Sequence, residues 1–110
     1  MELEEVRFKV KSPKGDKEFD YVMKEMAGEE DLAYQMQFTN PTTGSINVRN
    51  LWVRRLVRCI VSPPMTDTKL SALPAWHFQT LIRQWMLMNE PTMPEQASFL
   101  EDSKKETNQS

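Results

Sequence analysis

From Ile46 to Asn89 the large hydrophobes fall into two helical stripes separated by Ser62-Pro63-Pro64, and no other feature constrains the fold as much. The first stripe runs through Trp52, Leu56 and Ile60, the second through Phe78, Leu81, Ile82, Trp85 and Met88. Apolar residues recurring three and four apart mark a helix with one face turned to a core. Pro63 lacks an N–H and pushes Ser62 out of the helical region, so the first helix must stop there. The same segment holds almost no group that does chemistry. The pattern points to packing and presenting helices, and so to partner binding before catalysis.

The boundaries follow from local signals. Asn40-Pro41-Thr42-Thr43-Gly44 is a loop, and Ser45 or Asn47 can cap a helix spanning 46–61. At 100° per residue, Val48, Trp52, Val53, Leu56, Val57, Cys59 and Ile60 share one broad arc. Arg54, Arg55 and Arg58 fall opposite, with Leu51 and Val61 as apolar exceptions. Thr66-Asp67-Thr68 starts a short helical turn through Leu70. Ser71 or Leu73-Pro74 opens the last helix, 74–89, since proline is tolerated in a first turn. Trp76 and Leu87 lie off its stripe, and Pro91 and Pro94 end it.

Upstream, apolar and charged residues alternate from Val6 to Val10 and again through Phe19, Tyr21 and Met23, the period of half-buried strands. Ser12-Pro13-Lys14-Gly15-Asp16 between them is a turn. The expectation is an antiparallel hairpin over 3–24 whose apolar face rests on the helices, because a lone hairpin is marginal in water. A helix over 28–38 is expected from Glu29-Glu30-Asp31, which suit the positive end of a helix dipole, and from Leu32 and Met36 four apart. Leu32, Tyr34, Met36 and Phe38 also alternate, so a strand stays open there. From Glu95 the chain turns polar, and 94–110 is expected to be disordered. The whole reads as one α+β domain over 1–93: an N-terminal hairpin, then a small, mostly helical part of about three helices.

Composition removes several functional classes. Formal net charge is -2, from 14 Lys+Arg against 16 Asp+Glu, which argues against a strongly basic nucleic-acid binder. The three glycines do not cluster into a phosphate-binding loop. A single cysteine, Cys59, permits no internal disulfide, and the expected compartment is cytosolic. His77, the one histidine, has no partner at a metal-ligand spacing. The acidic N-terminus does not read as a signal peptide, and no apolar run approaches the roughly 20 residues of a bilayer span. No catalytic residue, cofactor or metal is expected.

His77 reads as a surface histidine rather than a general base, and Cys59 as a small buried hydrophobe rather than a nucleophile. Arg49, Arg54, Arg55 and Arg58 form a basic face on one helix. It is read as a solvated surface balanced by the acids at 29–31 or as a site for an acidic protein; nucleic acid is the less favoured use. Eight methionines are many for this length. Met86, Met88 and Met93 cluster with Trp76, Trp85 and Leu87, and adaptable methionines recur on surfaces that bind several partners. Trp76 and Leu87 either stay exposed as an interface or are covered by the hairpin.

One resemblance adds to this reading. Glu25-Met26-Ala27-Gly28-Glu29-Glu30 is followed by Tyr34 and the loop Pro41-Thr42-Thr43-Gly44. A helix ending in Leu56-Val57-Arg58-Cys59-Ile60 comes next, then Leu73-Pro74 and a helix closing on Met88-Asn89. That order, over about 17–90, resembles the small tail assembly chaperones of tailed bacteriophages and prophages. Met88-Asn89 stands where that family has a Leu-Asn pair. The resemblance implies a non-enzymatic chaperone in the host cytoplasm, absent from the mature virion. It implies that the chain coats the tape measure protein, recruits tail tube protein and self-associates. Trp76, Trp85, Met86, Leu87 and Met88 would be the apolar contacts, with Arg54 and Arg58 at the charged rim. The alternative is a small regulatory or nucleic-acid-associated protein that uses the Arg49, Arg54, Arg55 and Arg58 face.

Overall fold

The element order is β1 (Glu5–Lys11), β2 (Glu18–Lys24), α1 (Gly28–Gln37), α2 (Val48–Cys59), β3 (Ile60–Ser62), α3 (Asp67–Ser71) and α4 (Ala75–Asn89). The computed structural model describes residues 2–90; the expectations for 91–110, including the disorder of 94–110, fall outside them. An N-terminal antiparallel hairpin is followed by helices, the α+β class the alternation and the two stripes predict.

The hairpin's register explains its two faces. Val6 pairs with Met23, Phe8 with Tyr21 and Val10 with Phe19, so the apolar residues share the inner face. Glu5 opposite Lys24, Lys9 opposite Asp20 and Lys11 opposite Glu18 put opposite charges side by side on the outer face. At the turn, the Gly15 N–H donates to the Ser12 carbonyl at 2.8 Å. Gly15 has φ +74°, a left-handed conformation that costs glycine nothing.

The ambiguous segment is helical. Ala27 is extended, and Gly28 begins α1 with Glu29, Glu30 and Asp31 in the first turn. In α2, the Asn47 side chain accepts from the Asn50 N–H at 3.1 Å, which selects Asn47 over Ser45 as the cap. Thr66 caps α3 in the same way, accepting from the Lys69 N–H at 3.2 Å. Pro74 precedes α4, and its carbonyl accepts from the His77 and Phe78 N–H groups.

The helix expected over 46–61 stops earlier, at Cys59. Ile60–Ser62 instead forms β3, antiparallel to β2, with Met23 opposite Ile60, Val22 opposite Ser62 and a bulge between. Ile60 and Val61 are β-branched and Pro63 disfavours a helical Ser62, so these residues favour extended backbone. Pairing them with β2 makes it the central strand of three.

The core lies between the inner sheet face and the helices. Val10, Tyr21 and Met23 from the sheet meet Val53, Leu56 and Cys59 of α2, Leu70 of α3, and Leu81 and Trp85 of α4. Phe78, Ile82 and Met88 pack beside them, so the predicted α4 stripe is the buried one. On α2 the arc is shifted. Leu51 and Arg55 are buried, whereas Val48, in the first turn, is exposed. α1 adds a further neighbour on the side where Arg55 projects, so more than one face of α2 is covered. Asn89 fastens the link between sheet and helices. Its side chain accepts from the Met26 N–H at 2.7 Å and donates to the Trp85 carbonyl at 2.9 Å.

The burial pattern separates sensitive from tolerant positions. Leu56→Ala is expected to cost about 2–5 kcal/mol, the range for deleting a fully buried leucine side chain. Lys11→Ala, which loses an exposed pair with Glu18 at 3.7 Å, should leave the midpoint of urea unfolding nearly unchanged.

Candidate functional site

The arginines of α2 do not form a free basic face. Arg55 is buried, and its guanidinium makes a two-point pair with Asp31, Nε to Oδ1 at 2.7 Å and a terminal nitrogen to Oδ2 at 3.0 Å. The same guanidinium lies 4.6 Å from the Trp52 ring centre and 4.3 Å from that of Trp85. Those two indoles meet edge-on, with centroids 5.3 Å apart. A delocalised, weakly hydrated cation between two indole rings and a bidentate carboxylate satisfies the conditions for burying a charge. Arg58 pairs with Glu30, whose carboxylate also accepts from the Tyr34 hydroxyl at 2.8 Å. The Tyr34 hydroxyl bond first, and Arg58 after it, pull the Glu30 carboxyl below its ordinary range. Arg54 lies over the Tyr34 ring at 5.3 Å. Arg49 is bound two-point to Asp67 of α3 and also reaches the Ser71 hydroxyl. Three of the four arginines are thus neutralised by acids of the same chain, so the field that phosphate binding needs is largely cancelled.

His77 corrects the sequence reading. It is 2% exposed, not a surface residue, and its Nε2 sits 2.6 Å from the Tyr21 hydroxyl. Phe19 and Trp76 flank the imidazole at 4.8 and 5.1 Å between ring centres. Burial pushes the imidazole below its ordinary value and the Tyr21 phenol above its own, so both are neutral near pH 7. The pair seals β2 against α4. Cys59 is buried as predicted, and its sulfur accepts from the Trp85 indole N–H at 3.2 Å. Burial raises the thiol's pKa, which keeps it in the unreactive form.

The apolar residues expected to meet a partner divide into three groups. Trp85 is 4% exposed and belongs to the core: it is wedged between Cys59, Trp52 and Arg55 and offers no surface. Trp76 and Met88 are half-buried, Trp76 against His77 and Met88 against the core. Leu87, at 66%, and Met86 are open to solvent on the last turns of α4. Arg54 and Arg58 are exposed on α2 above α1.

Periodicity alone missed a second apolar surface. α1 buries none of its residues. Glu30, Asp31 and Tyr34 face α2, while Leu32 and Met36 point outward with exposures of 56% and 69%. The ion pairs of Asp31 with Arg55 and of Glu30 with Arg58 turn the Leu32 and Met36 side outward. Beside α1, a groove of about 470 Å³ is lined by Phe38, Val53, Val57 and Met65, with Arg54 and Asp67 at its edges. Among the described residues no cluster of three metal-ligating side chains occurs, and no helix is long and apolar enough to cross a membrane.

Compared with protein-family models, with curated proteins and with solved structures, the chain finds no match in any of the three.

Two outcomes follow from the charges. Arg55→Ala leaves Asp31 without its partner and should cost about 3–5 kcal/mol in chemical denaturation, whereas Arg49→Ala, at an exposed pair, should barely move the midpoint. His77 has a folded-state pKa below that of the unfolded chain, so the unfolded state binds the extra proton. Its contribution to stability is complete above about pH 6.5 and is lost as pH falls from there toward the folded value. Urea unfolding at pH 7.5 and pH 5.5 should show this loss, and His77→Gln should flatten it.

Proposed function

We propose that the chain is a non-enzymatic protein-binding module, acting as a tail assembly chaperone of the kind it resembles. Its client would be a long helical protein such as a tape measure protein. The observation that carries the reading is the ordered apolar side of α1. Leu32 and Met36 are displayed on a helix that packs mainly through its ion pairs, with Tyr34 as its one contact on the core. Leu87 and Met86 on α4 supply a second exposed apolar site. Exposed apolar residues on rigid helices suit a client helix laid against them, with i and i+4 anchors on both sides. The groove beside Val57 and Met65 can take an apolar side chain, and Arg54 at its edge can pair with an acid of the client. Methionine at Met36 and Met86 suits a surface that must fit a repetitive client at many positions.

In this reading the chain acts in the host cytoplasm, holds the client soluble until tube protein assembles around it, and leaves before the virion is complete. The chemistry asked of it is shielding, so buried neutral His77 and Cys59 serve packing.

Co-expression with a candidate tape measure protein tests the proposal. Wild type should keep the client in the soluble fraction. Met36→Asp combined with Leu87→Asp should lower the soluble client several-fold. Both positions are exposed, so the chain's own stability should change by only about 0.5 kcal/mol per substitution. Unchanged client solubility with the folded double variant contradicts the assigned surface.

A further inference from the structure

The sheet has two edge strands, and the longer, β1, carries a specific chemistry. β2 is flanked by β1 and β3, so β1 is an outer strand. Which of its backbone groups face outward follows from the register. The Ser12 N–H donates to the Lys17 carbonyl at 3.0 Å, and the Glu25 N–H to the Glu4 carbonyl at 2.9 Å. Both pairs lie in the register that puts Val6 opposite Met23 and Val10 opposite Phe19. Hydrogen-bonded pairs alternate along an antiparallel ladder, so the even-numbered residues of β1 bond to β2. Glu5, Arg7, Lys9 and Lys11 therefore point their N–H and C=O groups away from the sheet, and their side chains are exposed.

A strand added at this edge would have to match two faces. On the inner face it would lie beside Val6 and Phe8, which are half-buried, so apolar residues fit. On the outer face it would lie beside Arg7, Lys9 and Lys11. Lys9 and Lys11 share Glu18 at 3.5 and 3.7 Å in exposed, weak pairs, and Arg7 stands opposite Val22 with no ion-pair partner among the described residues. Acidic residues fit there. β1 already accepts this pattern on its other side, where Glu18-Phe19-Asp20-Tyr21 alternates acid and aromatic. A second copy of the chain fits less well. Laid antiparallel with Phe8 facing Phe8, it sets Arg7 opposite Lys9 twice; centred on Arg7, it sets Arg7 opposite Arg7. Like charges directly opposite are destabilising. Centred on Val6 it pairs Glu5 with Arg7, but then only Glu5, Val6 and Arg7 of β1 overlap, and Lys9 and Lys11 find no acid.

We infer that the outer edge of β1 is a strand-addition site for an extended segment of a partner protein that alternates acidic and apolar residues. Main-chain bonds to Arg7, Lys9 and Lys11 would hold the segment, and their side chains would select its acids. The site is separate from the helical surfaces of the proposed function and does not depend on that reading.

The test uses the full chain and a synthetic end-blocked peptide of seven residues, the length of β1, alternating Glu and Val. Amide hydrogen exchange should slow at Arg7, Lys9 and Lys11 on adding peptide, while Val6, Phe8 and Val10, already bonded to β2, change little. A peptide with Lys in place of Glu should not produce this. Lys9→Pro removes an outward N–H without touching the ladder to β2 and should weaken binding about tenfold or more. Arg7→Glu, which leaves the backbone intact, should weaken it comparably. The assignment is overturned if the three amides stay unprotected at saturating peptide, or if the Lys peptide protects them equally. It is also overturned if the chain alone forms a dimer that protects the same amides.

Discussion

The helical part of this protein depends on the Arg55 guanidinium. It lies between Trp52 of α2 and Trp85 of α4 and reaches Asp31 of α1 with two hydrogen bonds, so one side chain joins three helices. The arrangement decides what α1 can do. α1 buries none of its residues fully, and of its side chains only Tyr34 packs against the core, so the hydrophobic effect gives it a small hold on the domain. Asp31 with Arg55, Glu30 with Arg58, and the Tyr34 ring under Arg54 make up most of its attachment. Burying Arg55 would be costly if it were alone. The two indole faces and the bidentate carboxylate offset the cost, and losing any one of them exposes it.

The sheet is attached by different means. Its inner face contributes Val10, Tyr21 and Met23 to the core, and the Tyr21 hydroxyl meets His77 of α4 in a neutral, enclosed hydrogen bond. Asn89 ties the end of α4 to Met26, at the junction between β2 and α1. One part of the molecule is therefore held by apolar packing and short neutral bonds, the other by charge. The division leaves the outer side of α1 free to be apolar, which packing against the core would not allow. Salt screens the more exposed Arg58–Glu30 pair and leaves the buried Arg55–Asp31 pair largely intact.

Much of the architecture was legible in the sequence, for reasons that can be named. Period-two alternation located both strands of the hairpin, and the stripe Phe78, Leu81, Ile82, Trp85 and Met88 identified the buried side of α4. Asn47, Thr66 and Pro74 marked helix starts because short polar side chains and proline satisfy or lack the first N–H groups. What escaped needed a neighbour that is distant in sequence. Three extended residues, Ile60–Ser62, carry too little pattern to announce a strand, and only the free edge of β2 explains them. Arg55 reads as solvent-facing until two tryptophans and Asp31 are placed around it. His77 reads as a surface group until Tyr21 arrives from β2. Trp85 looked like a contact residue because periodicity gives a face but not what covers it. Leu32 and Met36 were legible as a helical pair, yet their outward direction is set by charges on α2. Of the apolar residues expected to meet a partner, Met86 and Leu87 are exposed, because no neighbour in the fold covers them.

The central claim is that charge on Arg55, not apolar burial, holds α1 in place. Native-state amide hydrogen exchange on Arg55→Met tests it most directly, since methionine can still pack between Trp52 and Trp85 while the charge is gone. With the charge gone, the amides of α1 should lose much of their protection, while those of β2 and α2 remain protected. Protection of α1 equal to that of the wild type would contradict the claim.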